Sequence, residues 1–499
     1  MEGTPEIKRE EIDELEQVGS GQYGDVFKGH CRGLDVAIKV LKNKFGTEEQ
    51  LASFKREVDI MSRIRFPNVC LLLGACTDPD YFCIIQEYLP RGDLASALEN
   101  KKLPSNFYAR MRLGSQIARG LLWIHSNNVL HRDLKLENLL LDKHGEVKVC
   151  DFGLADSTGG QKLIWDEKGR KGSPLYMAPE VLLKKGLNNK VDVYSFAIIL
   201  WELLSQQRAF QHHLQHNDIN KFTNAICKDG ERPPVPPPGN QDVEEWKNPY
   251  LQKLLDNAWH HKASERPDFM EIFDDLNVLI TDGYIKEEWG RMFWLINFPD
   301  EDAVDWEEFV KSLKSSSKVE LDDGSVFCRG LALPENDTQG IECLKLLMAH
   351  ISGVNQATLK TIKCEDFGKL LTWFGPGIDE NSKRTFLDRV VAICKQPWFF
   401  GNLANPEGLV AGSGGRLFLI RLSNPGYFTV QSDTWKARVE YVPGRGYKAG
   451  NSPDFFPDLD MWVQSELVGK KGFSIVPNPS EFRQIFQPAQ QSSQYIAWN

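Results

Sequence analysis

His131-Arg132-Asp133-Leu134-Lys135-Leu136-Glu137-Asn138 sets a carboxylate, an ammonium and a carboxamide close together in one short stretch. Asp133 alone reads as a helix cap, a common use of aspartate. Arg132 before it and Asn138 five residues later point to chemistry instead. In that company Asp133 suits a base that takes a proton from a hydroxyl. Lys135 suits a counter-charge for anionic oxygen developing nearby. Asn138 offers a hard oxygen to a cation, and Asp151-Phe152-Gly153 downstream offers a second. Crowded carboxylates without partners are costly to bury, so a cation between Asn138 and Asp151 makes sense of both.

Two upstream stretches complete the set. Gly19-Ser20-Gly21-Gln22-Tyr23-Gly24-Asp25-Val26 has the Gly-x-Gly-x-x-Gly spacing, which alone is weak because dinucleotide folds share it. Those folds need a helix after the glycines. Here strand-like Val26-Phe27-Lys28 follows, so the glycines belong to a hairpin in which backbone can approach phosphate closely. Val36-Ala37-Ile38-Lys39 sits on the next strand. Lys39 would pair with α- and β-phosphates and be held by a helix carboxylate, for which Glu57 is the best candidate.

These four motifs in this order, closed by Ala178-Pro179-Glu180, match the protein-kinase signature set. Residues 12–280 resemble a eukaryotic protein kinase catalytic domain in the style of the tyrosine-kinase-like group. Asp192-Val193-Tyr194-Ser195-Phe196-Ala197-Ile198 carries that flavour, although Ala197 stands where glycine is usual. The resemblance implies a two-lobed fold, with a β-rich small lobe and an α-helical large lobe, using ATP and Mg²⁺. It assigns catalysis to Asp133, Lys135, Lys39 and Glu57, and metal binding to Asn138 and Asp151. Nucleotide contacts fall to Val18, Gly19, Ser20, Gly21, Gln22, Tyr23, Gly24, Asp25, Val26 and Lys39. Gln86 is the gatekeeper, and the Glu87 and Leu89 backbone follows it to meet adenine. Glu180 and Arg266 map to a buried ion pair, and His131, Phe152, Met61 and Leu73 to a hydrophobic spine.

Lys135 and Ser173 resemble the serine/threonine type, with dual specificity left open. Arg132 resembles an arginine that receives an activation-loop phosphate, and Ser157 and Thr158 are the hydroxyls placed for it; both also read as plain solvated loop residues. Cys150 reads either as a reactive thiol beside the nucleotide or as a small packing residue.

The pattern around the motifs fits. Residues 15–40 are β-rich, and Leu51, Phe54, Val58, Met61 and Ile64 give a helix over 48–64. A strand pair follows near Leu71–Leu73 and Phe82–Ile85, and from about 107 the chain turns helical. Arg232-Pro233-Pro234-Val235-Pro236-Pro237-Pro238 could be a polyproline ligand, but kinase-like helical sequence continues to about 280, so a rigid loop in the large lobe is the better reading.

After 280 the composition shifts. Residues 281–397 resemble a helical, EF-hand-like linker through Trp306, Phe309, Phe367, Trp373 and Phe374. Asp322-Asp323-Gly324 is only a turn, and without a full Asp-x-Asp-x-Asp-Gly loop calcium is not expected. Residues 398–499 resemble a Src-homology-2 (SH2) domain: Trp398-Phe399-Phe400-Gly401, then Leu417-Phe418-Leu419-Ile420-Arg421-Leu422-Ser423. That resemblance implies phosphotyrosine binding by Arg421 and Ser423. Asn405 replaces a second arginine, and Lys436 or Arg438 stands where a ligand-contacting histidine is usual. Kinase first and SH2 last is the layout of the amoebal SH2-domain kinases, often described as dual-specificity. The whole chain reads as a multidomain α+β protein.

Composition excludes some classes. At 499 residues with a net charge of −10, bulk charge gives no reason to expect nucleic acid. The ten cysteines are scattered, which suits a reducing, cytoplasmic setting. No run approaches the length of a membrane span, so peripheral recruitment to membrane-associated partners is the remaining membrane role. The expected partners are protein substrates and phosphotyrosine-bearing proteins. The alternative is a pseudokinase scaffold acting as a phosphotyrosine adaptor, whose mark would be a broken Lys39, Asp133, Asn138 or Asp151. None is broken. Autoinhibition by the last domain is a further expectation, with Tyr495 as a tail candidate.

Overall fold

A computed structural model describes residues 4–20, 24–41, 48–78, 80–157, 173–186, 188–214, 218–299, 301–321, 325–333, 337–377, 384–401, 406–423, 426–442, 445–450, 452–476, 482 and 485. The chain forms two compact units, Met1–Ile280 and Thr281–Asn499.

The first unit opens with a five-stranded antiparallel sheet. Its strands are β1 (Ile12–Ser20), β2 (Gly24–Cys31), β3 (Leu34–Leu41), β4 (Leu72–Asp78) and β5 (Tyr81–Glu87), in the order β1-β2-β3-β5-β4. Val36, Ile38, Cys83 and Ile85 point into one core beneath it. The register sets Lys39 opposite Val26 on one side and Ile84 on the other, so the lysine is pinned at the middle of the sheet. Helix α1 (Glu48–Arg63) crosses the sheet, burying Phe54, Val58 and Met61 and carrying Glu57 inward with them. The expected helix and strand pair therefore form where the periodicity places them.

The rest of this unit is helical. Helix Lys190–Ser205 is buried from Val191 to Ser205, as an all-round apolar sequence requires. It ends at Gln206 in the left-handed conformation (φ 57°). Helix Phe107–Ser126 packs beside it, capped by Asn106, whose side chain accepts from the Ala109 N–H at 3.0 Å. The proline-rich segment is held to these helices. Trp201 Nε1 donates to the Pro234 carbonyl at 2.9 Å and Gln207 Nε2 to that of Pro238 at 3.0 Å. The Glu180–Arg266 pair is made, at 2.7 and 2.9 Å.

The second unit begins with helices Glu288–Asn297, Trp306–Lys314, Thr338–Ser352, Cys364–Phe374 and Phe386–Cys394. Two short strands, Ala303–Asp305 and Thr361–Lys363, pair antiparallel, each leading directly into a helix. A five-stranded sheet follows, ordered Gly446–Ala449, Lys436–Val442, Tyr427–Gln431, Leu417–Leu422, Ser474–Ile475. One hydrophobic core runs from Ile285 to Phe482. Phe309 and Phe367 meet edge-to-face at 5.2 Å within the helices. Phe374 meets Phe428 at 5.7 Å between helix and sheet. Trp373 Nε1 also donates to the Tyr427 carbonyl at 2.9 Å. The segments 281–397 and 398–499 thus share their interior.

Candidate active site

Beneath the small sheet lies a cleft of about 380 Å³. Val18, Gly19, Gly24, Val26 and Ala37 roof it; Gln86, Glu87 and Leu89 form its back edge; Asn138, Leu140 and Asp151 floor it. Glycine at 24 is required by the sheet itself, because a Cβ there would sit 2.3 Å from the Val40 carbonyl oxygen. Of the other glycine-hairpin residues, Ser20 ends β1 and pairs with Asp25 of β2, while Gly21, Gln22 and Tyr23 lie outside the described residues.

Lys39 Nζ stands 2.7 Å from Glu57 Oε1 and 2.7 Å from Asp151 Oδ1. Strand, helix and the Asp-Phe-Gly turn therefore meet at one ammonium. Burial works against that charge, but Glu57 and Asp151 outweigh it and hold the lysine well above its usual range. Burial likewise opposes ionisation of Asp151, yet Lys39 lowers its carboxyl to about 2. Glu57 goes the other way: burial raises it and Lys39 offsets this only in part. Asp151 itself has a positive φ of 63°. Gly153 follows closely, its missing Cβ leaving room beside Asp151 and the Lys39 ammonium.

A second cluster surrounds Asp133. Lys135 Nζ donates to its Oδ2 at 2.8 Å, and the Ser173 N–H to its Oδ1 at 3.1 Å, with the Ser173 hydroxyl 3.5 Å away. Asn138 lines the cleft and donates its Nδ2 to the Asp133 carbonyl at 2.7 Å and to Asp133 Oδ2 at 3.2 Å, so its amide oxygen is the atom it offers a cation. That oxygen and the Asp151 carboxylate form a hard-donor set, the chemistry a divalent cation such as Mg²⁺ requires.

Sequence reasoning overlooked the residue that holds this loop in shape. Asp192 is almost fully buried, and accepts the backbone N–H groups of His131 and Arg132, each at 2.9 Å. His125 Nε2 approaches it at 2.9 Å. Burial opposes its charge, but these donors, His125 foremost, keep its carboxyl lowered. The load it carries is visible in Arg132, whose φ of 69° is uncommon for a side-chain-bearing residue. The available signal was an aspartate in the first turn of a largely apolar helix.

The His131 and Phe152 rings meet at a tilt, centroids 5.3 Å apart, and both are buried with Met61, while Leu73 is half-buried. Gln86 Nε2 donates toward Met61 Sδ at 3.3 Å, and its Oε1 accepts from Cys70 at 3.6 Å. Cys150 packs with Cys70, Leu89 and Leu140, and burial pushes its thiol well up, which is the environment of a packing residue. The Ser157 backbone pairs with Val129, and Thr158 lies outside the described residues.

A family profile for protein tyrosine and serine/threonine kinases matches residues 12–276. The dual specificity protein kinase shkC of Dictyostelium discoideum is 37% identical over 483 residues, covering 94% of this chain and 90% of that protein. The dual specificity protein kinase shkA of the same organism is 34% identical over 442 residues, 85% of this chain and 80% of the relative. Serine/threonine-protein kinase STY46 of Arabidopsis thaliana is 36% identical over 262 residues, 52% of this chain and 43% of its own length. Together with Lys39 of the cleft meeting Glu57 and Asp151, these matches place the chain in the protein tyrosine and serine/threonine kinase family, with the family's two-lobed fold and its use of ATP and a divalent metal.

Proposed function

We propose that the chain is an active Mg²⁺/ATP kinase that phosphorylates serine and threonine of protein substrates, with tyrosine a second acceptor, and that residues 398–499 bring it to phosphotyrosine-bearing partners. The observation that carries the first half is Lys39 held at once by Glu57 and Asp151, each at 2.7 Å. A scaffold without chemistry would have no need to keep these charges buried and matched. It weighs against the phosphotyrosine-adaptor alternative.

In this reading Lys39 grips the α- and β-phosphates and Glu57 fixes its position. The backbone of Glu87 and Leu89 meets adenine. The Val18–Val26 hairpin covers the phosphates. Asn138 and Asp151 hold Mg²⁺, which supplies charge neutralisation on the triphosphate. Asp133 orients the incoming hydroxyl and takes its proton, and Lys135 offsets charge on the transferring group. Ser173, against the same carboxylate, favours the serine/threonine type. Phosphorylation at Ser157 or Thr158 would draw the activation segment toward Arg132.

The second half is supported by the sheet of the second unit. We divide that unit into an EF-hand-like helical part, 281–397, and an SH2 domain, 398–499. Trp398–Gly401 runs beside strand Leu417–Leu422, with the Ile420 N–H donating to the Trp398 carbonyl at 2.7 Å. Arg421 is half-buried on that strand; among the described residues its buried Nε has no hydrogen-bond partner, and Nη1 donates to Leu422 O at 3.1 Å. An arginine so placed is short of acceptors, which a phosphate would supply bidentately. Register sets Arg421, Thr429 and Arg438 in one row across three strands. Arg438 lies over the Tyr427 ring at 5.8 Å, whereas Lys436 pairs outward with Glu407 at 3.3 Å. Arg438 is therefore the better second cation. Ser423 spends its hydroxyl on the Tyr427 carbonyl at 2.8 Å. Asn405 lies outside the described residues. The setting we infer is cytoplasmic, with membrane association only through partners; among the described residues no helix is long and apolar enough to cross a membrane.

Two assays test the proposal. Incubation with Mg²⁺/ATP and a mixed peptide library should yield mainly phosphoserine and phosphothreonine; phosphotyrosine alone would overturn the specificity. Full-length Arg421→Ala should lose phosphotyrosine-peptide binding in fluorescence anisotropy while keeping peptide phosphorylation. Unchanged binding would remove Arg421 from the site.

A further inference from the structure

Outside the cleft, one group of side chains converges without serving the transfer chemistry. Among the described residues, His212, His213 and Glu231 alone bring three metal-type ligand atoms together, all within 4.8 Å of one another. His212 Nε2 lies 2.9 Å from Glu231 Oε1, and His213 Nε2 lies 3.1 and 3.0 Å from the two carboxylate oxygens. His212 is exposed, and His213 and Glu231 are half-buried at the lobe surface.

We propose that His212, His213 and Glu231 form a surface site for a zinc-class divalent cation on the helical lobe of the kinase unit. The donor set is the first reason. Two imidazoles and one carboxylate suit Zn²⁺ and its neighbours, whereas Mg²⁺ prefers oxygen ligands and water. The site would therefore not compete for the Mg²⁺ of the cleft. The spacing is the second reason. Bonds of roughly 2.0–2.1 Å at tetrahedral angles leave ligand atoms about 3.3 Å apart. The nitrogen–oxygen distances here, 2.9–3.1 Å, need to open by only a few tenths of an ångström. Exposed His212 can move to close the remaining nitrogen–nitrogen gap.

Orientation is the third reason. His213 is fixed by aromatic neighbours, Phe222 at 5.3 Å and Phe210 at 6.4 Å, so its Nε2 is aimed before any cation arrives. Glu231 is placed by its backbone N–H, which donates to the Ala225 carbonyl at 3.0 Å. Helix Ile219–Cys227 lies in the chain between the paired histidines and the glutamate. A cation would tie the turn Gln211–Leu214 to the far end of that helix and stabilise this edge of the lobe. Three protein ligands leave the fourth position to water.

Titration of the metal-stripped full chain with ZnCl₂ in excess Mg²⁺ tests this. We expect one equivalent bound, raising the thermal midpoint of the kinase unit. His212→Ala and Glu231→Gln should each weaken binding by about ten- to a hundredfold. His212 is exposed, and among the described residues the Glu231 side chain bonds to the two histidines alone, so both variants should fold, which their unchanged midpoint without zinc checks. Co²⁺ in place of zinc should give visible bands without thiolate charge transfer, which separates this site from the ten cysteines. Absence of saturable binding, wild-type affinity in both variants, or a thiolate signature would overturn the assignment.

Discussion

Asp192 shows what a single residue contributes without touching substrate. It accepts two consecutive backbone N–H groups and so stabilises the left-handed Arg132 immediately before Asp133. Asp192→Asn would replace one acceptor oxygen with a donor facing those N–H groups. Misplacing a catalytic group by about 1 Å costs up to roughly a hundredfold in rate. Steady-state kinetics should therefore show kcat down about ten- to a hundredfold, with KM for ATP little changed. A proportionate rise in KM would assign Asp192 to nucleotide binding instead. Glu202 makes a different case. It is buried, accepting from the Tyr176 hydroxyl at 2.8 Å and the Ala209 N–H at 2.9 Å. Burial dominates and pushes its carboxyl up to about 7 from an ordinary 4.5. Between those values the folded chain keeps a proton that the unfolded chain gives up. Its contribution is then present in full below about 4.5 and lost as pH rises through about 7. Glu202→Gln should flatten that fall, so chemical denaturation across the window should show wild type losing stability relative to the variant. Parallel curves would count against an uncharged Glu202. Neither aspartate nor glutamate announced this in the sequence, because burial and partners come from distant segments.

Among the elements, those with strong periodicity were readable and those held by long-range pairing were not. Phe54, Val58 and Met61 marked α1, and the glycine hairpin was recognisable because Val26-Phe27-Lys28 is strand-like. Lys39 meets Glu57 as its motif implied; its contact with Asp151, read from the sequence only as a cation ligand, was not foreseen. By contrast, the antiparallel pairing of Ala303–Asp305 with Thr361–Lys363 joins residues far apart in the chain, and three-residue strands leave no period to detect. The β1–β2 hairpin carries its own prediction. A methyl group at position 24 meets the Val40 carbonyl at 2.3 Å, so the strands must part to admit it. Gly24→Ala should lower thermal stability and raise KM for ATP together. A raised KM with unaltered stability would mean that the glycine serves the nucleotide alone.

For the molecule as a whole, the motifs told much about the first unit and little about the interior of the second. The SH2 resemblance suggested a boundary at 398, and the core from Ile285 to Phe482 runs across it, with Trp373 bonded to Tyr427 and Phe374 meeting Phe428 edge-on. Packing between segments has no local sequence mark, so it could not be read in advance. Phe367→Ala should cost about 3–5 kcal/mol within this core. Circular dichroism should then show the second unit melting early while peptide phosphorylation by the first persists; loss of both together would mean that the units do not fold independently. The same reasoning makes 280, not 397, the place to cut when asking whether the second unit restrains the first. The account as a whole rests on Asp133 steering a hydroxyl to a triphosphate gripped by Lys39. The most direct measurement compares purified wild type with Asp133→Asn for transfer of labelled γ-phosphate to a peptide, with ATP affinity measured in parallel. The account predicts transfer by wild type, a loss of about a hundred- to ten-thousandfold in the variant, and nearly equal ATP binding. Equal transfer by both proteins, or none by wild type with any divalent metal, would contradict it.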